Sequence, residues 1–511
     1  MWQEAFRRDA VSKPALADPL PERRLARLLG AFLASGLVFL VAPGTLLGVW
    51  NLIGIASRRS AASVSPVWIQ GHGHAQLFGW VASFMIGISL YSVPKFRGGA
   101  LRSLALGWAM WAVWTAAVAA RWASALGDWH WRAVWPAASA AEFAVAALLL
   151  WQCAVPARTT GLWNRLVFTG LAGFAGTMAW QLFAIFPAGA EPLIPEPRDR
   201  VLLWMALWTF TFPVAWGFSV RFLPAFLGLK KPGGRAVDAG LVSLAAAAVL
   251  EIAAGANPGW ARLAACSAWL TLAAAAAACW SLRIFQKPQR KPKTAGVDPR
   301  YPIFVRLAFG WLLASALLAC IGGSRGWVGA SRHAFTVGFL ATLIFAIGPR
   351  ILPSFVNSRE LWSKRLMLTA LVLLSAGCAL RVALEPPAYA GAAAAAWRLL
   401  PVSAILELAA VVVFALNLGV TLAAPFPAWI ERESITADLP LYWFVTAYPR
   451  TRGILERAGL RSLAHVRNAP KSLTLREAAQ ADGVDEGRLI EALREYFDRR
   501  LARALREKRR P

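Results

Sequence analysis

The chain has 511 residues, 58% of them hydrophobic and 16% charged, against about 25% charged in average soluble domains. Mean hydropathy is +0.50, and tryptophan alone supplies 26 residues. These values exclude a disordered, collagenous or disulfide-stapled secreted chain and an ordinary water-soluble enzyme. They leave an all-α integral membrane protein. The net charge of +27 would point to nucleic acid in a soluble protein. Here the cations lie in short segments between apolar runs and in the C-terminal tail, the arrangement that sets topology and holds anionic lipid headgroups. Membrane lipid is therefore the expected partner, and nucleic acid is not.

Residues 1–24 form a charged leader, expected in the cytoplasm. The apolar run that begins near Leu25 is too long for a signal h-region and reads as a retained first helix. A spanning helix needs about 20 largely apolar residues. Twelve such runs fill residues 25–424, at about 25–50, 71–94, 101–121, 134–155, 162–187, 201–227, 236–255, 260–283, 303–322, 331–353, 364–383 and 398–424. With the N-terminus inside, the inner loops hold 19 cations and the outer loops 11, so both termini are expected in the cytoplasm.

A repeat is visible in the helix ends. SVPKF, FLPAF and ILPSF place Pro94, Pro224 and Pro353 at the ends of the second, sixth and tenth helices. The two intervals, Pro94 to Pro224 and Pro224 to Pro353, are nearly equal, which predicts three four-helix repeats. After residue 430 the composition turns polar. Residues 431–511 read as a small helical cytoplasmic module with a basic amphipathic tail, in which Ser472 or Thr474 caps a helix.

Five histidines occur: His72, His74, His130, His333 and His465. His74 precedes Pro94 by the same interval as His333 precedes Pro353, and each histidine opens an HAxxxG motif ending at Gly79 or Gly338. Trp204 takes that place in the sixth helix. The two imidazoles sit at one depth near the outer face, as the axial ligands of a six-coordinate haem iron must. Gly79 and Gly338 would let a flat macrocycle or another helix come close. His72 stands about 200° of rotation from His74 and cannot face the same iron. It is a candidate for a second haem or copper, or for an interfacial role. His130, in DWHW, is a weaker copper candidate, or a residue of the interfacial aromatic belt. His465 lies in the polar module and is expected to be unrelated.

The five cysteines, Cys153, Cys266, Cys279, Cys320 and Cys378, lie in apolar stretches and form no CxxC or CxxCH. Buried packing is expected for them, and covalent haem attachment is not. Glu142, Glu251 and Glu407 stand in apolar runs and are functional candidates on that ground.

HGHAQLFGW with SVPKF, and RHAFTVGFLATLIFAIGPR, resemble the NnrS family of haem- and copper-containing membrane proteins. That family is similar in plan to haem–copper oxidase subunit I: twelve helices in three arcs, with a low-spin haem held by histidines of helices 2 and 10. The resemblance implies haem b in a bacterial inner membrane protein, with copper as a further cofactor. It implies a role in tolerance of or response to nitric oxide under nitrosative stress. Family members carry a Glu after the helix-2 histidine, where this chain has Ala75 and Gln76, and a histidine after the helix-10 motif, where it has ILPSFVNS. The sixth helix has no histidine, so the ligand set for oxygen reduction is incomplete. ITADLPLYWFVTAYPRTRGILERAGL and SLTLREAAQADGV resemble the small N-terminal domain of iron–sulfur repair proteins, without its cysteines. Docking to a protein partner is the expected role. Two rival readings stay open: an electron-transfer enzyme linked to quinol or nitric oxide, and a haem-free secondary transporter. Six-plus-six repeats are usual in transporters, and the four-helix period argues against that reading.

Overall fold

A computed structural model describes residues 19–154, 161–186, 191–294, 296–322, 324–355, 361–423, 435–441, 444–445, 448, 451–461 and 473–508. The described residues contain twelve helices long and apolar enough to cross a membrane, as the hydropathy predicts. They are α1 (Arg24–Arg58), α2 (Pro66–Phe96), α3 (Leu104–Leu126), α4 (Trp131–Cys153), α5 (Leu162–Ala184), α6 (Arg198–Leu227), α7 (Gly234–Ala256), α8 (Arg262–Leu282), α9 (Tyr301–Ile321), α10 (Arg325–Pro353), α11 (Lys364–Tyr389) and α12 (Ala394–Ala423). The protein is an all-helical, multi-pass membrane protein. Most helices run past the apolar stretches read from sequence. Their end turns, such as Pro66–Gln70 and Arg325–Arg332, keep helical hydrogen bonding beyond the stretches read from sequence.

Burial separates the helices into two classes. The most apolar windows of α2, α6 and α10 are 94%, 78% and 61% buried, whereas those of the other nine are 33–50% buried. Helices α2, α6 and α10 are therefore the central members. The outer helices turn large apolar side chains outward, among them Trp50, Trp269, Trp280 and Val242, which suits lipid rather than water.

Close approach contributes to the packing of the central helices. A Cβ on Gly173 of α5 would overlap the Thr209 carbonyl oxygen of α6, so only glycine fits there. Each central helix also changes winding at one point. A π-helical segment begins at Ala75, Met205 and Ala334, directly after His74, Trp204 and His333. These starts keep the near-equal intervals of the repeat prolines. Such segments add a residue to one turn and re-aim the side chains beyond it.

The first and last four-helix groups share further devices. Ser103 caps α3 and Ser363 caps α11. The Gln152 amide of α4 bonds both the backbone N–H and the carbonyl of Ser103, and Asn417 of α12 does the same to Ser363.

The chain divides into two compact units, Leu28–Leu352 with Leu361–Val420, and Met1–Arg27 with Pro353–Glu360 and Thr421–Pro511. The first holds the helical bundle and every candidate residue discussed below. In the second, α13 (Thr451–Arg457), α14 (Leu475–Asp482) and α15 (Glu486–Lys508) enclose a core that includes Ile435, Phe444, Tyr448, Leu475, Leu489 and Phe497. Thr474 forms a reciprocal capping box with Glu477 at the start of α14. His465, Ser472 and residues 1–18 of the leader lie outside the described residues.

Candidate functional site

The N-terminal end of α2 begins at a helix cap. The Ser65 hydroxyl accepts from the Val67 N–H, and Pro66 takes the first turn, where its missing N–H costs nothing. The stretch Pro66–His74 is regular α-helix, so His72 and His74 do point to different sides of α2.

His74 faces α3, α4 and α5. Its Nε2 lies 3.3 Å from Glu142 Oε1 on α4, and Glu142 is fully buried. The second carboxylate oxygen accepts from the Gln181 amide of α5 and stands 4.0 Å from the Arg121 guanidinium of α3. Arg121 also donates to Ser139 Oγ at 3.1 Å and lies over the Trp135 ring. The His74 ring packs on Phe78. Beside it is a cavity of about 20 Å³ bordered by Gln70, Gly71, Arg121, Trp122 and Trp135, large enough for one water molecule. The buried acid Glu142, singled out in sequence, thus joins a cluster of His, Glu, Arg and Gln. Arg121 and Gln181 were not singled out. Their signal was a cation and an amide inside apolar runs.

His72 turns the other way, toward α1. Its Nδ1 lies 2.9 Å from the Gly44 carbonyl oxygen. The ring rests on Gly48, where an added Cβ would stand 2.5 Å from His72 Cε1. His333 of α10 has the same anchoring. Its Nδ1 lies 2.9 Å from the Gly329 carbonyl oxygen. A ring that donates Nδ1–H to a carbonyl is fixed as the tautomer whose Nε2 carries the lone pair. His72 and His333 lie within electrostatic range of one another, and both within that of Arg381 of α11. Glu385, one turn on from Arg381, places Oε2 3.6 Å from His333 Nδ1. The His333 side chain is partly exposed, at 27%.

The structure therefore places the expected ligand pair in different surroundings. His74 belongs with Arg121, Glu142 and Gln181, and His333 with Glu385 and Arg381. His74 stands beside α3 and α4, and His333 beside α11. The residue of α2 that shares His333's electrostatic surroundings is His72.

The glycines of the HAxxxG motifs serve helix approach. A Cβ on Gly79 would stand 2.7 Å from Phe39 of α1, and one on Gly338 2.5 Å from Trp311 of α9. Of the two uses read from sequence, close approach of another helix is the one these neighbours fill. His130 is exposed, caps α4 in a left-handed conformation and stacks edge-on with Trp129. Among the described residues no group of three or more His, Cys, Asp or Glu side chains is assembled, at His72, His130 or elsewhere. Cys153, Cys279 and Cys378 are buried as expected, but Cys266 is exposed and Cys320 only partly covered. Glu251 of α7 lies 3.6 Å from Arg200 of α6. Glu407 of α12 is half-buried, with Oε1 lacking a hydrogen-bond partner.

The family model described as "NnrS protein" matches residues 18–425 of the chain. No curated protein matches it.

Proposed function

Since the chain belongs to the NnrS family, we propose that it is a haem-binding membrane protein of nitric oxide tolerance or response, in which His72 and His333 would hold the haem. The observation that carries this reading is the matched anchoring of the two rings. Each has its Nδ1 at 2.9 Å from a backbone carbonyl, which leaves Nε2 as the metal-binding nitrogen on both. The donor set fits haem b: two neutral imidazoles, with no CxxCH for covalent attachment. Gly48 supplies the cradle, since any side chain there would push His72 off α1.

Haem bound there would supply one-electron chemistry and an iron centre for nitric oxide. The protein's own residues do the rest. Gly44 and Gly329 orient the rings through their carbonyls. Apolar side chains of α1, α2 and α10, among them Phe78, Trp80 and Phe335, keep water from the central helices. The residues do not fit a copper site at His72 and His130, because His130 is an exposed cap and no third donor joins either residue among those described. The bacterial inner membrane and cytoplasmic termini are part of the proposal, supported by the charge bias of the loops.

The test is haem content and the reduced-minus-oxidised spectrum of the purified chain, followed by nitric oxide titration. A low-spin b-type spectrum that changes on adding the gas is the expected result. A colourless protein from haem-supplied cells would contradict it and restore the transporter reading.

A further inference from the structure

We propose that the buried Arg381–Glu385 pair of α11 sets the redox potential of the haem centre through His333. The inference rests on the reading above, in which His333 is a ligand. Four observations carry it. Glu385 is buried, at 4% exposure, with Oε2 3.6 Å from His333 Nδ1, the edge of the ring turned away from the metal-binding nitrogen. Arg381 grips the same carboxylate through both oxygens, Nε to Oε2 at 3.0 Å and Nη2 to Oε1 at 3.4 Å, and so fixes its direction.

The backbone of α10 is cut away to admit this turn of α11. A Cβ on Gly329 would overlap Glu385 Oε1, and one on Gly326 would stand 2.9 Å from Pro386 Cα. Finally, the device is absent around the corresponding histidine. Arg121 follows the capping Ser103 by the same interval as Arg381 follows the capping Ser363, but the position matching Glu385 is Ala125. His74 receives its carboxylate from α4 instead, on Nε2.

A carboxylate beside the Nδ1 edge makes the imidazole a stronger electron donor to a metal on Nε2. One-electron reduction lowers the charge of the iron site by one, so a nearby negative charge opposes it and a nearby positive charge favours it. Glu385 is thus a positioning residue that lowers the potential, and Arg381 moderates it.

The experiment is a spectroelectrochemical titration of the purified full-length chain with Glu385→Gln, Glu385→Asp and Arg381→Gln. Glu385→Gln is expected to keep the low-spin spectrum and raise the midpoint potential. Glu385→Asp should return it toward the wild-type value. Arg381→Gln should lower it. Opposite shifts from the two partners are a signature that a purely structural pair does not give. An unchanged or lowered potential in Glu385→Gln overturns the inference while leaving the haem reading intact. So does loss of haem in Glu385→Gln combined with an unmoved potential in Arg381→Gln. A wild-type chain without haem overturns both.

Discussion

The surroundings of His74 and His333 differ more than their shared motif implies. Both residues precede a π-helical segment and both have an arginine on the third helix of their group. Around His74 the charges are spent on one another. Glu142 is held by Gln181 and lies within ion-pair reach of Arg121 and of His74 Nε2. Around His333 the carboxylate comes to the Nδ1 side, which also meets the Gly329 carbonyl. Both groups keep buried atoms without a hydrogen-bond partner: the two ring nitrogens of His74 and Glu142 Oε1 in the first, and Oε1 of the corresponding acid of α12, Glu407, in the last. A repeat keeps place in the fold while leaving chemistry free to diverge.

The largest expected effect is on stability in the first group. Glu142→Ala leaves Arg121 buried without its carboxylate, a loss of about 3–5 kcal/mol for breaking a buried pair. Thermal unfolding in detergent should show a much lower midpoint. Glu407→Gln, by contrast, removes no hydrogen bond from its free oxygen and should melt close to the wild-type. Equal losses in the two variants would erase the distinction drawn between the groups.

A smaller change in stability but a clear change in haem content is expected of Gly48→Val. Its side chain must displace the His72 ring, which an added Cβ alone would meet at 2.5 Å. Haem per chain should fall while the chain still folds. Full haem occupancy in this variant would remove His72 from the ligand set.

The twelve spans were legible because apolar runs of that length have one use. So was the spacing of the three central helices, carried by Pro94, Pro224 and Pro353. The histidines were legible as candidates. His74 and His333 share a position relative to their helix-end prolines, and the structure sets them beside different helices, α3 and α4 for one and α11 for the other. The choice of His72 depends on Gly44 and Gly48 of α1, and that of Glu385 on Gly326 and Gly329 of α10. These are contacts between segments that no local pattern connects. Arg381 lies within the apolar run read from sequence, and Glu385 joins it on one helix because α11 continues to Tyr389, through Pro386 and Pro387.

The most direct measurement is the visible spectrum of His72→Ala, His74→Ala and His333→Ala, purified side by side with the wild-type. The expected result is loss of the low-spin haem signal in His72→Ala and His333→Ala and its retention in His74→Ala. Loss in His74→Ala with retention in His72→Ala would contradict the pairing and return the haem to the two histidines that share the repeat position.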